Sequence, residues 1–218
     1  VKKLIIILIS LAVSSCNYKL ISPYCMCNLN NKVNVSLSSV GANSTEEEIK
    51  SALENNKNET GKNIIVITGH IGNNSSIFDN IKGAIKDETD VILDLSGASL
   101  ETSYTFTLEG ASALTTVLLP PIQQITANFF KDCTALVNIQ IPSSIIKIND
   151  TSFENCTSLK NVEYLGTSPN ALTTSAFASI KPTDLYLPNV KTDPQDGRWN
   201  NFLGAAWTTI HYAASMPQ

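Results

Sequence analysis

The sequence predicts an α/β solenoid, a ladder of parallel strands stacked rung on rung, opened by helical units and closed by an irregular cap. Three observations predict it. A leucine recurs after 22 and then 23 residues, from Leu114 to Leu136 to Leu159. Each of these leucines leads a short strand-like run. Between the runs a Phe and a Cys keep the same step, Phe130 to Phe153 and Cys133 to Cys156, both 23 apart. One such unit cannot hide its own apolar face from water, so successive copies must stack.

The chain begins with an address. Lys2 and Lys3 precede a predominantly apolar stretch, Leu4 to Val13. As a helix that stretch is about 15 Å long, roughly half a bilayer's hydrocarbon core. It fits the h-region of a secretory signal and is too short to span. Val13-Ser14-Ser15-Cys16 follows and resembles the bacterial lipobox. The resemblance implies removal of residues 1–15, acylation of Cys16 and anchoring to a membrane through buried acyl chains. Asn17, not Asp, follows the Cys, which points to the outer membrane or cell surface. Residues 16–43 read as the lipidated N-terminus and an irregular Asn/Ser-rich tether. Cys25 and Cys27 within it are too close for an easy disulfide or the usual Cys-x-x-Cys zinc clip.

Residues 44–107 read as strand–helix–strand capping units. Ser44 with Glu47 has the spacing of a capping box, and Ile49, Ala52 and Leu53 share one helix face. Ile64 to Thr68 is a β-rich run. Ser76 with Asp79 suggests the start of a second helix, with Ile77, Ile81 and Ile85 on one stripe. Val91 to Leu95 is the next strand. Thr68-Gly69 and Ser96-Gly97 match 28 residues apart, so the two strands are expected side by side, joined by a right-handed crossover.

The repeats occupy residues 108–190. Leu114-Thr-Thr-Val117-Leu-Leu119-Pro120, Leu136-Val-Asn-Ile139-Gln-Ile141-Pro142 and Leu159-Lys-Asn-Val162-Glu-Tyr164-Leu165-Gly166 align one above another. Leu185-Tyr-Leu187-Pro188 is a fourth, shorter copy, and Ala176-Phe177 opens a decayed one. The third copy departs at the equivalent of Pro142, where Gly166 stands. Leu136, Ile139 and Ile141 point inward at strand spacing; Asn138 and Gln140 point out. Pro142 lacks a backbone donor and ends the strand, after which Ile145 and Ile148 re-enter the core. The full unit, Phe-x-x-Cys-x-x-Leu-x-x-Ile-x-Ile-Pro-x-x-Ile, resembles the BspA-like leucine-rich repeats of bacterial surface proteins. Val91–Leu100 through Thr115–Pro120 resembles the opening of spirochaete-type members of that family. Cys133 and Cys156 occupy equivalent columns. A disulfide or metal pair is one reading; small buried thiols stacked along the solenoid, as this family's repeats use them, is the expected one.

Residues 191–218 form the closing cap. Arg198 to Phe202 suggests a short helical turn, and Thr208 to Tyr212 a last strand with Ile210 and Tyr212 inward. Trp199, Phe202 and Trp207 are suited to sealing the end of the core.

Composition narrows function. Hydrophobic residues are 43% and charged residues 16%, enough to bury a core. Net charge is -4 and no dense basic cluster occurs, so nucleic-acid binding is not expected. Gly69-His-Ile-Gly72-Asn-Asn-Ser-Ser76 sits between a strand and a helix but matches neither dinucleotide nor Walker patterns. His70 and His211 are the only histidines and fall at opposite ends of a linear stack. No catalytic constellation, cofactor or metal site is expected, and the chain reads as a non-enzyme and a monomer.

What remains is a face. Outward positions would run Val66, Asp94, Leu118, Gln140, Glu163, Tyr186 and His211. A second column would hold Ile92, Thr116, Asn138, Asn161, Asp184 and Thr209. Together they make a shallow, weakly acidic ribbon. Its expected partner-binding residues are Leu118, Asn138, Gln140, Asn161, Glu163, Asp184 and Tyr186, with Leu118 and Tyr186 as anchors. The family resemblance implies adhesion to host matrix proteins or to neighbouring bacteria. The rival is a structural or housekeeping lipoprotein facing the periplasm with no host ligand.

Overall fold

A computed structural model describes residues 36–169, 172 and 174–217. The expected signal peptide, the lipid site Cys16 and the pair Cys25 and Cys27 lie outside the described residues. The elements in chain order are β1 (Ser39–Gly41), α1 (Glu46–Thr60), β2 (Ile64–Ile71), α2 (Ile77–Ile85), β3 (Val91–Asp94), β4 (Ala98–Leu100), β5 (Leu114–Leu118), β6 (Gln124–Ile125), β7 (Asn138–Ile141), β8 (Lys147–Ile148), β9 (Asn161–Tyr164), β10 (Asp184–Leu187) and β11 (Thr209–Tyr212).

The main ladder runs β1-β2-β3-β5-β7-β9-β10-β11. Every neighbouring pair is parallel. Val117 sits beside Ile139, Ile139 beside Val162, Val162 beside Leu185 and Leu185 beside Ile210. Those four inner residues from Val117 to Leu185 are fully enclosed. One continuous apolar cluster extends from Val40 to Ala205. The architecture is an α/β solenoid with an all-parallel strand ladder.

The first rung comes earlier than expected. Ser39–Gly41 pairs with Val66–Thr68, inside the segment read as tether. A three-residue strand with one inward side chain, Val40, has no alternation long enough to read. Asn56 of α1 secures it, because its side chain accepts from Ser38 N at 2.7 Å and donates to Ser38 O and Ile64 O, each at 2.9 Å. It is buried and fully used, a polar staple between two rungs.

Both helices form on the expected apolar faces, but their caps differ. The capping box is Thr45 with Glu48, not Ser44 with Glu47: Thr45 N donates to Glu48 Oε2 at 2.8 Å and Glu48 N to Thr45 Oγ1 at 3.3 Å. Ser-Thr-Glu-Glu-Glu offers two registers, and Ser44 is committed instead to closing the turn from Gly41. At α2, Ser76 makes no side-chain cap bond. Ser75 serves there, accepting from Ile77 N at 3.2 Å and donating to Ala42 O. The Gly69 pairing also slips by one: Gly69 faces Ala98 of β4, not Gly97.

In the repeats, the return path is a chain of rings. Phe130 stacks on Phe153 at 5.2 Å, and Phe153 meets Phe177 at 5.0 Å. Phe129 and Phe78 carry the series back to α2, and Trp207 ends it against Phe177. Before each strand the chain turns a left-handed corner, at Gly110 (φ +76°), Asp132 (φ +60°) and Asn155 (φ +61°). Gly, Asp and Asn are the residues that tolerate this conformation. Ile145 and Ile148 are enclosed, and β6 pairs with β8 as a small second sheet on the return side. Ile141 pairs with Tyr164, so Leu165, not Gly166, stands opposite Pro142. Leu165 N donates to Ile141 O at 3.0 Å, a bond a proline could not make.

The thiols follow the simpler reading. Cys133 and Cys156 are free and buried. Each donates to a carbonyl of the preceding turn, Cys133 to Leu108 O at 3.2 Å and Cys156 to Phe130 O at 3.0 Å. Burial pushes both up to about 12.

The closing cap is a turn ending in a single 3-10 element, Phe202–Gly204. Trp199 and Phe202 are buried, and Tyr164 packs on Phe202 at 5.0 Å and on Trp199 at 6.1 Å. Trp207 Nε1 donates to Phe202 O at 3.1 Å. Ile210 and Tyr212 are half-buried against the core.

Candidate functional site

The ladder's registers assemble the two outward columns. Val66, Asp94, Leu118, Gln140, Glu163, Tyr186 and His211 are successive partners. So are Ile92, Thr116, Asn138, Asn161, Asp184 and Thr209. The columns hold three chemically distinct zones.

The first zone is apolar. Ile64, Ile92 and Leu118 form a small cluster of their own, with Leu37 and Val66 packed against it. Leu118 has no exposed surface. The expectation that Leu118 is an exposed anchor is therefore corrected: its side chain is spent on neighbouring rungs. Asp94 accepts from Ser96 N at 2.9 Å and Ser96 Oγ at 2.6 Å, closing the turn after β3.

The middle zone is a polar ladder. Asn161 Nδ2 donates to Asn138 Oδ1 at 2.7 Å, and Asn138 Nδ2 donates to Thr116 Oγ1 at 2.9 Å. Side-chain amides carry both a donor and an acceptor, so one rung can satisfy the next. Beside it, Gln140 Nε2 donates to Glu163 Oε1 at 2.6 Å. The other carboxylate oxygen, Oε2, accepts from Met216 N at 2.7 Å. Glu163 is only 2% exposed. Burial pushes its carboxyl above the ordinary value, and the donors from Met216, Gln140 and Ser215 offset part of that rise.

The third zone is aromatic. The Tyr186 and His211 rings stack with centroids 4.2 Å apart and planes 6° apart. His211 Nε2 lies 3.0 Å from Asp184 Oδ1, and Thr183 Oγ1 donates to Asp184 Oδ2 at 2.6 Å. The His211 and Thr183 bonds hold the Asp184 carboxyl below its ordinary range. Tyr186 is buried, so it too is not the open anchor expected of it.

Of the seven residues expected to bind a partner, Asn138, Asn161 and Asp184 are half-buried, while Leu118, Gln140, Glu163 and Tyr186 are enclosed. The weak acidity is largely consumed within the molecule. The residue that sequence reasoning missed is Met216. Its burial depends on a return of the chain across β10, which no local pattern encodes.

Two other places hold polar groups. His70 Nδ1 lies 3.2 Å from Ser99 Oγ, and its Nε2 lies 3.6 Å from Glu101 Oε2. The order of residue types is that of a hydrolytic triad. Yet 61% of the His70 side chain and 42% of the Glu101 side chain are exposed, so water competes for every bond. The two histidines stand in β2 and β11, far apart in the strand order. A shallow pocket of about 480 Å³ at the closing cap is lined by Thr174, Ser175, Arg198 and Asn201, among others. Its one charged group, Arg198, is paired with Asp196. Among the described residues no group of three or more His, Cys, Asp or Glu is placed to hold a metal, and no helix is long and apolar enough to cross a membrane.

No curated protein and no solved structure matches the chain. Residues 101–198 match a family model in six copies, a span that begins before and ends after the repeats read from the sequence. With its 23-residue rungs, ring-lined return path and all-parallel ladder, this part of the chain is a BspA type leucine rich repeat region.

Proposed function

We propose that this protein is a surface-tethered lipoprotein whose solenoid face binds a protein partner, serving adhesion to host or bacterial molecules. The observation that carries the reading is the contrast across the ladder. Inner positions repeat the same apolar chemistry at every rung, while outer positions change from Leu118 to Gln140 to Glu163 to Tyr186. Leucine-rich repeat modules are generally protein-binding, and a repeat stack presents a face long enough for a macromolecule. The half-buried edge, Asn138, Asn161 and Asp184, is the part of the predicted ribbon that remains within reach of a partner. The lipobox at Cys16 supports membrane tethering, and the Asn17 that follows supports the outer membrane or cell surface. No catalytic role is assigned.

Binding of the full chain to immobilised, purified matrix proteins tests the reading. Wild type is expected to bind at least one, and Asn138→Arg with Asn161→Arg is expected to abolish that binding while leaving the fold intact by circular dichroism. Binding to none would overturn the reading. One observation favours the rival of a periplasm-facing structural lipoprotein: four of the seven expected contact residues are already enclosed. Protease shaving of intact cells separates the two, since a periplasmic chain survives it.

A further inference from the structure

We infer that residues 213–217 are a displaceable strap seated in a peptide-binding slot of the outer face, and that the slot's ligand is an extended peptide with a flexible apolar side chain. The inference rests on the partner-binding reading above and names its ligand class and its regulation.

The strap begins at Ala213. Its φ of +52° is a left-handed value that residues with a Cβ rarely adopt. Its N–H is shared between Leu187 O at 3.0 Å and Val190 O at 2.9 Å. That corner turns the chain out of β11 and back across β10 to β9. There Met216 N donates to Glu163 Oε2 at 2.7 Å, a contact between residues 53 apart in sequence. Met216 is 3% exposed, whereas Ala213, Ser215 and Pro217 are exposed. The strap is thus held by one enclosed side chain and one main-chain hydrogen bond, besides the Ser215 contact to the same carboxylate.

That is the way extended peptides are held by shallow sites: main-chain bonds supply affinity and a pocketed side chain supplies specificity. A thioether chain with three rotatable bonds suits a slot that must accept more than one occupant. A segment with so few anchors opens locally long before the solenoid unfolds. When it opens, the buried Glu163 and its partner Gln140 are left short of a donor, which is costly in a dry site. The slot then takes either its own strap again or another N–H bearing chain. Tethering gives the strap a high effective concentration, so it competes with any ligand of modest affinity.

Fluorescence anisotropy with a labelled Ala-Ala-Ser-Met-Pro peptide and the full chain tests this. Wild type is expected to bind the peptide weakly, and Met216→Gly at least 10-fold more tightly. Adding Glu163→Gln to Met216→Gly is expected to remove that gain, because an amide presents a donor where Met216 N or Gln140 needs an acceptor. Equal affinity for wild type and Met216→Gly would overturn the inference. So would absent peptide binding to Met216→Gly when hydrogen exchange shows residues 213–217 released. Unchanged protection of that segment in Met216→Gly would overturn it as well. Peptide binding with no matrix protein captured would sink the adhesion reading and leave the slot standing. Matrix-protein capture without peptide binding to Met216→Gly would do the reverse.

Discussion

The two sides of the strand ladder are built on different rules. The inner side carries Val117, Ile139, Val162 and Leu185 in one column, with the rings of Phe130, Phe153 and Phe177 behind it. Every rung offers the same kind of surface to the next. The outer side carries Leu118, Gln140, Glu163 and Tyr186 in the adjacent column, with no shared chemistry. Both columns are largely enclosed. The inner one is enclosed by repetition. In the outer one, Glu163 is met by a single strap and by partners particular to its rung. Repetition makes burial predictable from sequence; particular partners do not.

The widest separation between the two sides should appear in thiol chemistry. Cys133 and Cys156, raised to about 12 by burial, are expected to stay unreactive toward a water-soluble disulfide reagent at pH 8 until the chain unfolds. Thiol titration with and without denaturant reads this directly, and fast labelling of the native chain would show that the inner side is not closed. Next in size is the ring column. Phe153→Ala is expected to cost about 3–5 kcal/mol in denaturant unfolding, because it opens a cavity between two stacked neighbours.

On the outer side the effects are smaller and depend on pH. Glu163 is raised above its ordinary value by burial, so its protonated form is favoured by folding. Its contribution is therefore fully present below about pH 4.5, the ordinary range of a glutamate, and is lost as pH rises through the raised value. The difference in melting temperature between wild type and Glu163→Gln is expected to shift against wild type from pH 4 to pH 8. A difference independent of pH would mean that Glu163 is solvated. Smallest is the amide ladder. Asn138→Ala removes one bond on each side and is expected to cost about 1 kcal/mol. A loss as large as that of Phe153→Ala would erase the distinction between the sides.

Most of the solenoid was legible because its information is local and repeated. A 23-residue step fixes which residues share a column, so both outward columns assembled in the expected register. The helix faces followed from Ile49, Ala52 and Leu53 and from Ile77, Ile81 and Ile85. What slipped were choices between neighbours. Thr45 and Ser75 cap where Ser44 and Ser76 were expected, since adjacent hydroxyls differ only in which one the backbone brings to the helix end. Leu165 rather than Gly166 occupies the Pro142 position for a related reason: the third copy lacks the proline that marks where its strand stops.

By itself, then, the sequence determined the period, the inward residues and the order of the rungs, because each apolar side chain must be hidden and only a stack hides them all. Only the tertiary structure decided which outward residues remain within reach of a partner. That outcome turns on a left-handed corner at Ala213 and one hydrogen bond from Met216 to Glu163, spanning 53 residues. No periodicity encodes a contact that occurs once.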